Sequence, residues 1–321
     1  MIKSIVLSWV ITLAWIANVA ANDGHADTMV TIKVVGEDSQ PIENANVSIG
    51  FLCIGKENST GRKGLSDSQG EFSASGKSYC GDVSFNAVKD GYYETFEAKM
   101  IKNSNGKLVQ NGGKWQPWNP TYEVVLKKII NPVPMYAKKC NLGFPEFNKK
   151  IGFDLEKGDW VAPYGKGIIP DLVFLGELNK IDSKNFDYKL TVSFSNPGDG
   201  IFPFEAPYQY GSTLKSSQQA PVSEYKTEWI QTRSRKTGEY ETGNSDDKRN
   251  YYFRVRSKSD ENGNIVQATY GKIYGDFLDF IYYFNPDFTR NIEFDPKKNL
   301  FTLGKPTDVS IKSDQYKISA P

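Results

Sequence analysis

Apolar and polar residues alternate strictly through Val30-Thr31-Ile32-Lys33-Val34 and again through Ala45-Asn46-Val47-Ser48-Ile49-Gly50-Phe51. A period of two puts the apolar side chains on one face of an extended strand and the polar ones on the other. Turn-forming runs separate these strands: Glu37-Asp38-Ser39-Gln40-Pro41, Asp67-Ser68-Gln69-Gly70 and Lys89-Asp90-Gly91. The pattern predicts a small β-sandwich over 28–93, with a loop-rich continuation through 94–130 that ends in a strand from Tyr122 to Ile129. Asn131-Pro132-Val133-Pro134 reads as a stiff linker, because two prolines within three residues oppose regular pairing.

Beyond the linker the same period returns. Phe186, Tyr188, Leu190, Val192 and Phe194 alternate with Asp187, Lys189, Thr191 and Ser193, and the run stops at Asn196-Pro197-Gly198-Asp199-Gly200. Tyr251, Phe253 and Val255 alternate with Tyr252, Arg254 and Arg256. Asp260-Glu261-Asn262-Gly263-Asn264 then turns the chain into a second long strand, the clearest hairpin in the sequence. No stretch holds a 3.6-residue apolar period, so little helix is expected. The fold class is therefore all-β: a small sandwich followed by a second, larger β-sandwich-like domain from residue 135 to 321.

The first residues differ from the rest. Met1-Ile2-Lys3 carries one positive charge ahead of an apolar run from Ile5 to Ala17, and Val19-Ala20-Ala21 offers the small residues of a signal-peptidase site. Residues 1–21 are expected to be a signal peptide, too short in its apolar run to span a bilayer. Residues 22–27, with His25, would form a flexible mature start. The location expected is secreted or periplasmic, with no transmembrane segment in the mature chain.

Charge excludes one class of partner. The chain has 39 Lys+Arg and 38 Asp+Glu, and residues 1–21 take away only Lys3. A balanced chain has no basic footprint for nucleic acid. Three cysteines remain. In an oxidising compartment a Cys53–Cys80 disulfide is expected, stabilising by roughly 3 kcal/mol through loop closure, with Cys140 left over.

The stretch from Val30 to Tyr93 resembles the carboxypeptidase regulatory-like (transthyretin-like) domain. The resemblance is carried by Pro41-Ile42 before Asn44-Ala45-Asn46-Val47, by Asp67-Ser68-Gln69-Gly70-Glu71-Phe72, and by Ala87-Val88-Lys89-Asp90-Gly91-Tyr92-Tyr93. It covers about a fifth of the chain and implies a sandwich with an accessory role beside another domain. In metallocarboxypeptidases that neighbour holds zinc through a His-x-x-Glu motif and a later His. The only histidine here is His25, so zinc, Ser-His-Asp and Cys-His chemistries lack their imidazole.

Carboxylate chemistry is what remains for an enzyme. Asp154 and Glu156 stand two apart in an extended stretch and would share a face, a spacing a glycosidase pair can use. Asp276 and Asp279 would face opposite sides. Asp260, Asn262 and Asn264 share the spacing of three calcium ligands, but glycine falls fourth and Gly271 stands at the twelfth position, so a plain turn is the better reading; no cofactor is expected, with calcium bound through an irregular loop as the alternative. For binding, Trp115 and Trp118 in a Pro/Asn-rich loop offer flat apolar faces, with packing at the end of the sandwich as the commoner fate. Trp160 is expected to be buried. Arg233, Arg235, Lys236, Arg249, Arg254 and Arg256 form a locally basic region in which Arg254 and Arg256 share a strand face. The leading expectation is a non-catalytic binding or accessory protein whose ligand is a glycan, an envelope polymer or another protein. The rivals are a carboxylate-dependent glycan-active enzyme and an envelope structural component linked through Cys140.

Overall fold

The computed structural model describes residues 24–52, 60–141, 143–207, 209–277, 279–303 and 314–321. The expected signal peptide and Cys53 lie outside them. The first unit contains β1 (His25–Gly36), β2 (Asn46–Phe51), β3 (Thr60–Leu65), β4 (Glu71–Tyr79), β5 (Asp82–Val88), β6 (Thr95–Met100), β7 (Val109–Asn111), β8 (Lys114–Gln116) and β9 (Thr121–Leu126). The second contains β10 (Val133–Asn141), β11 (Lys150–Asp154), β12 (Asp159–Trp160), β13 (Leu172–Asp182), β14 (Asn185–Ser193), β15 (Gly200–Glu205), β16 (Gly211–Ser212), β17 (Glu228–Arg235), β18 (Thr242–Gly243), β19 (Arg249–Ser259), β20 (Ile265–Asp276), β21 (Asp279–Asn285) and β22 (Phe294–Asn299). A short 3-10 turn, Asp314–Tyr316, is the one helical element among the described residues.

In the first unit, β4-β1-β8-β7 form one sheet with β9 also paired to β1, and β3-β2-β5-β6 form the other. The alternation in β1 and β2 does what the pattern requires. Val30, Ile32, Val34, Val47, Ile49 and Phe51 turn inward and are buried, with Val83, Phe85, Val124 and Leu126 facing them. Full burial of such side chains is worth about 1.5–3 kcal/mol each. The N-terminal segment is not loose at residue 25, however. His25, Ala26 and Asp27 pair with Tyr79, Ser78 and Lys77, so β1 begins there. Cys80, at the turn between β4 and β5, is a free thiol in this structure.

The second unit packs two six-stranded sheets, β15-β19-β20-β21-β10-β22 and β12-β11-β13-β14-β17-β18. Phe153, Trp160, Phe174, Leu190, Val192, Phe253, Phe280, Tyr282 and Phe284 fill the space between them. Cys140 belongs to this core and its thiol is pushed up to about 12 by burial; it is not placed to link chains. The first of these sheets is covered on its other face too, by Ala220, Ile292 and Ile318 packing on Tyr252, Tyr270, Tyr274 and Tyr283. β20 is consequently buried without interruption from Ala268 to Tyr274.

The expected linker is half strand. Val133 and Pro134 open β10, and the register against β22 shifts between Val133 and Met135. An irregularity of this kind lets a strand carry a proline that cannot donate to the ladder. The domain boundary is also crossed by the chain: β16 adds to the first unit's sheet beside β6, and Thr213 N donates to Glu94 O at 2.8 Å.

The two units meet around two buried side chains. Glu293 is fully buried; its Oε1 accepts from Tyr93 Oη (2.8 Å) and Ile130 N (2.8 Å), and its Oε2 from Asn131 N (2.6 Å). Lys272 is fully buried as well. Its Nζ donates to Ser216 Oγ at 3.1 Å and lies over the rings of Tyr274 and Tyr283. Burial holds its pKa well below the ordinary lysine value, against the pull of Glu293. Lys127 of the first unit donates to Ser216 O at 2.9 Å, which closes the junction.

Candidate functional site

Asp154, Glu156 and Arg256 meet at one end of the larger sandwich. Asp154 ends β11 and Glu156 lies in the turn after it. Arg256 lies on β19 where the register against β20 shifts after Val255, with φ 56°. This bulge changes the parity of the strand. Arg254 stays on the face of Tyr225, with Cζ 4.6 Å from that ring, whereas Arg256 lies over Phe284 of the inter-sheet core at 4.9 Å. The expectation that the two arginines share a face is therefore corrected: one extra residue in the strand sends them to opposite sides.

Arg256 is the hub of the cluster. Its Nε and Nη2 donate to Asp171 Oδ1 (2.8 Å) and Oδ2 (3.0 Å), and its Nη1 to Glu156 Oε2 (2.7 Å), with Asp154 Oδ1 3.6 Å away. Burial works against its charge, but the bonds to Asp171 and Glu156 prevail and raise its pKa. Asp154 has a second set of partners. Its Oδ1 accepts from Glu156 N and Lys157 N, and its Oδ2 from Ile168 N and Ile169 N, all at 2.9–3.0 Å. Burial alone would raise its pKa; the four backbone bonds outweigh that and hold it below the usual carboxylate range. Asp199 secures the bulge by accepting from Arg256 N and Ser257 N. The two carboxylates singled out by spacing thus tie loops to Arg256. Asp171 and Asp199, which no spacing marked, complete the assembly.

A different region has the shape of a binding site. The inner face of β13-β14-β17 runs out of the core in register: Phe174, Val192 and Trp229; then Gly176, Leu190 and Gln231; then Leu178, Tyr188 and Arg233; then Lys180, Phe186 and Arg235. The first rows are covered by the opposing sheet. The last two open into a groove of about 550 Å³, whose far wall is Gly143, Phe144 and Phe147 from the loop after β10. Gly176 permits that wall: a Cβ there would lie 3.3 Å from both Phe144 and Phe147. Arg233 donates to Glu241 at 2.7 Å on the rim, and Lys180 and Ser183 stand beside it. The Tyr188 ring lines the groove while its hydroxyl is turned inward, and burial raises its pKa, with Asp276 adding to the effect.

The remaining candidates scatter. Trp115 is buried in the first core, where Nε1 donates to Ser78 O at 3.1 Å. It is a packing residue, because a strand, β8, draws it under the sheet. Trp118 is 39% exposed and carries Lys114 over its ring. Trp160 is core, as expected. Arg254 donates to Gly198 O and Val222 O, and Arg249 lies over Trp229. The basic stretch therefore forms no continuous patch. Asp260 accepts from Asn262 N and Asn264 N and closes its hairpin turn. Asp276 and Asp279 are register partners in the β20–β21 hairpin. Among the described residues no cluster of three His, Cys, Asp or Glu is arranged to hold a metal, and no helix is long and apolar enough to cross a membrane.

No protein-family model and no curated protein matches the chain. Among solved structures, it is similar to 3-chlorocatechol 1,2-dioxygenase from Rhodococcus opacus at 10% identity and a TM-score of 0.26, over 32% of this chain and 61% of that one. A streptococcal ancillary pilin is similar at 11% identity and a TM-score of 0.22, over 84% of this chain and 62% of that one. The major pilin subunit of Bacillus cereus is similar at 12% identity and a TM-score of 0.22, over 83% and 99%. At such scores neither the dioxygenase nor the pilins bear on what this chain does.

Proposed function

We propose that this chain is a non-catalytic binding protein of the cell exterior, secreted or periplasmic, that takes its ligand in the groove formed by β13, β14, β17 and the loop after β10. One observation carries this reading: an ordered row of strand side chains leaves the dry core and becomes the floor of an open, aromatic-lined groove. Its volume falls in the range of ligand sites, about 300–1,000 Å³, and its mix of apolar walls with few polar groups is that of a recognition surface. The Asp154 and Glu156 carboxylates, by contrast, are engaged by Arg256 and by backbone amides. A structural role in the envelope is favoured by a separate observation, the buried junction of Glu293, Tyr93 and Lys272, which ties the two units together.

The test is a paired screen of glycans and peptides with the wild type and with Phe186→Ala, a half-buried position whose loss leaves the core intact. At least one ligand is expected to bind the wild type and to lose about tenfold or more in affinity with the variant. Equal binding by both proteins would move the site elsewhere, and a wild type that retains nothing would end the binding reading.

A further inference from the structure

We infer that the groove accepts an acidic sugar: a pyranose unit bearing a carboxylate or sulfate, presented as part of a chain. The inference rests on the binding role proposed for this groove and adds the chemistry of its occupant. Three features of the lining point the same way.

The walls are flat rings. Phe186 and Tyr188 line the strand side, and Phe144 and Phe147 the loop side. Aromatic faces carry partial negative charge and pack well against the C–H faces of a sugar ring. The polar rim then supplies what sugar hydroxyls need. The Arg233–Glu241 pair presents a donor fork and an acceptor side by side, which matches two neighbouring hydroxyls that each give and take a hydrogen bond. A purely apolar ligand would strip water from this pair without replacing it, a cost rather than a gain.

Charge decides the subclass. Glu241 is committed to Arg233, and the two remaining cations on this face, Lys180 and Arg235, stand in the outermost row beside Phe186. The nearest acid in the adjoining turn, Asp182, accepts from Lys184 N and Asn185 Nδ2 and acts on Lys180, so Arg233, Lys180 and Arg235 stand against Glu241 and Asp182 with the cations in excess. The rim thus carries surplus positive charge over an aromatic floor, complementary to an anionic substituent on a stacked ring.

The experiment titrates the full chain with an oligogalacturonate, a sulfated galactan oligomer, a neutral galactan oligomer of equal length, and a peptide with a single tryptophan. It is read by calorimetry at low and at high salt. The acidic sugars are expected to bind at least about tenfold more tightly than the neutral one at low salt, and to lose most of that margin at high salt. Lys180→Gln with Arg235→Gln should weaken acidic-sugar binding far more than neutral-sugar binding, and so remove the same margin. If neutral and acidic sugars bind alike and Phe186→Ala weakens both, the acidic class is overturned and the groove reading stands. If the peptide outcompetes every sugar, the class is overturned in favour of a protein ligand. If sugars bind and Phe186→Ala changes nothing, the groove itself is the wrong site.

Discussion

Arg256 and Lys272 sit on adjacent strands of one sheet, β19 and β20, and the protein manages their charge in opposite ways. Arg256 is 20% exposed at the side chain and is ringed by Asp171, Glu156 and Asp154. Lys272 is fully buried, its amine held by a serine hydroxyl and two phenol rings, and burial favours its neutral form. A guanidinium cannot shed its proton in a protein, so burying it requires carboxylates; an amine can, so burying it requires only a hydrogen bond and apolar company. The lesson concerns direction of dependence. The carboxylates need Arg256, whereas the junction needs the shape of Lys272 more than its charge.

The same substitution at the two sites should separate these accounts. Arg256→Met leaves Asp171 buried with one backbone donor, Leu155 N, and removes the charge that Glu156 and Asp154 face. The expected loss is about 3–5 kcal/mol in chemical denaturation; a loss under about 1 kcal/mol would show the cluster to be ornamental. Next in size is Glu293→Gln, which keeps one carbonyl for Tyr93 and Ile130 but turns an amide toward Asn131 N. About 2–3 kcal/mol should go, and calorimetric unfolding should split into two transitions as the units uncouple. A single sharp transition at the wild-type temperature would mean that Glu293 does not join them.

Lys272→Met should have the smallest effect, within about 1 kcal/mol of the wild type and on the stabilising side at pH 7. Its pH signature is the sharper reading. Because the folded-state pKa lies below 10.5, the unfolded chain binds the extra proton between that lowered value and about 10.4, and wild-type stability rises with pH across this window by up to about 1.4 kcal/mol per unit. The methionine variant should lack that part of the slope. An unchanged slope would place the proton on Lys272 in the folded protein and make it a second Arg256.

The turn at Asp260–Asn264 was enough to mark the β19–β20 hairpin, and period-two alternation was enough to read β1, β2 and β14, because each has one face against a core. It failed where that condition fails. β20 is covered on both faces, so the Lys272 of a Tyr-x-Lys-x-Tyr run looks like a solvent position and is instead, with Glu293, one of two fully buried charge-bearing groups at the junction. It failed again at Arg256, where one bulged residue reverses parity and no local signal other than Asp199, far off in sequence, accompanies it. Trp115 looked like a loop residue because its strand is three residues long. The groove was half visible: Phe186 and Tyr188 belong to a strand already expected, but Phe144 and Phe147 reach them only through tertiary packing.

β16 has a consequence for the order of events as the chain folds. The first unit is synthesised long before Gly211 and Ser212, the residues that pair with Thr95 and Phe96 on β6. Until they arrive, β6 is a naked rim with unpaired amides and carbonyls and with Phe96 half out in water, open to any extended segment, including the same segment of another molecule. The late-arriving pair serves as an internal stopper that caps the Thr95–Phe96 end of the rim once the second half has folded. An interrupted or truncated chain would carry that rim unstoppered, and self-association through β6 is the failure to which it would be prone.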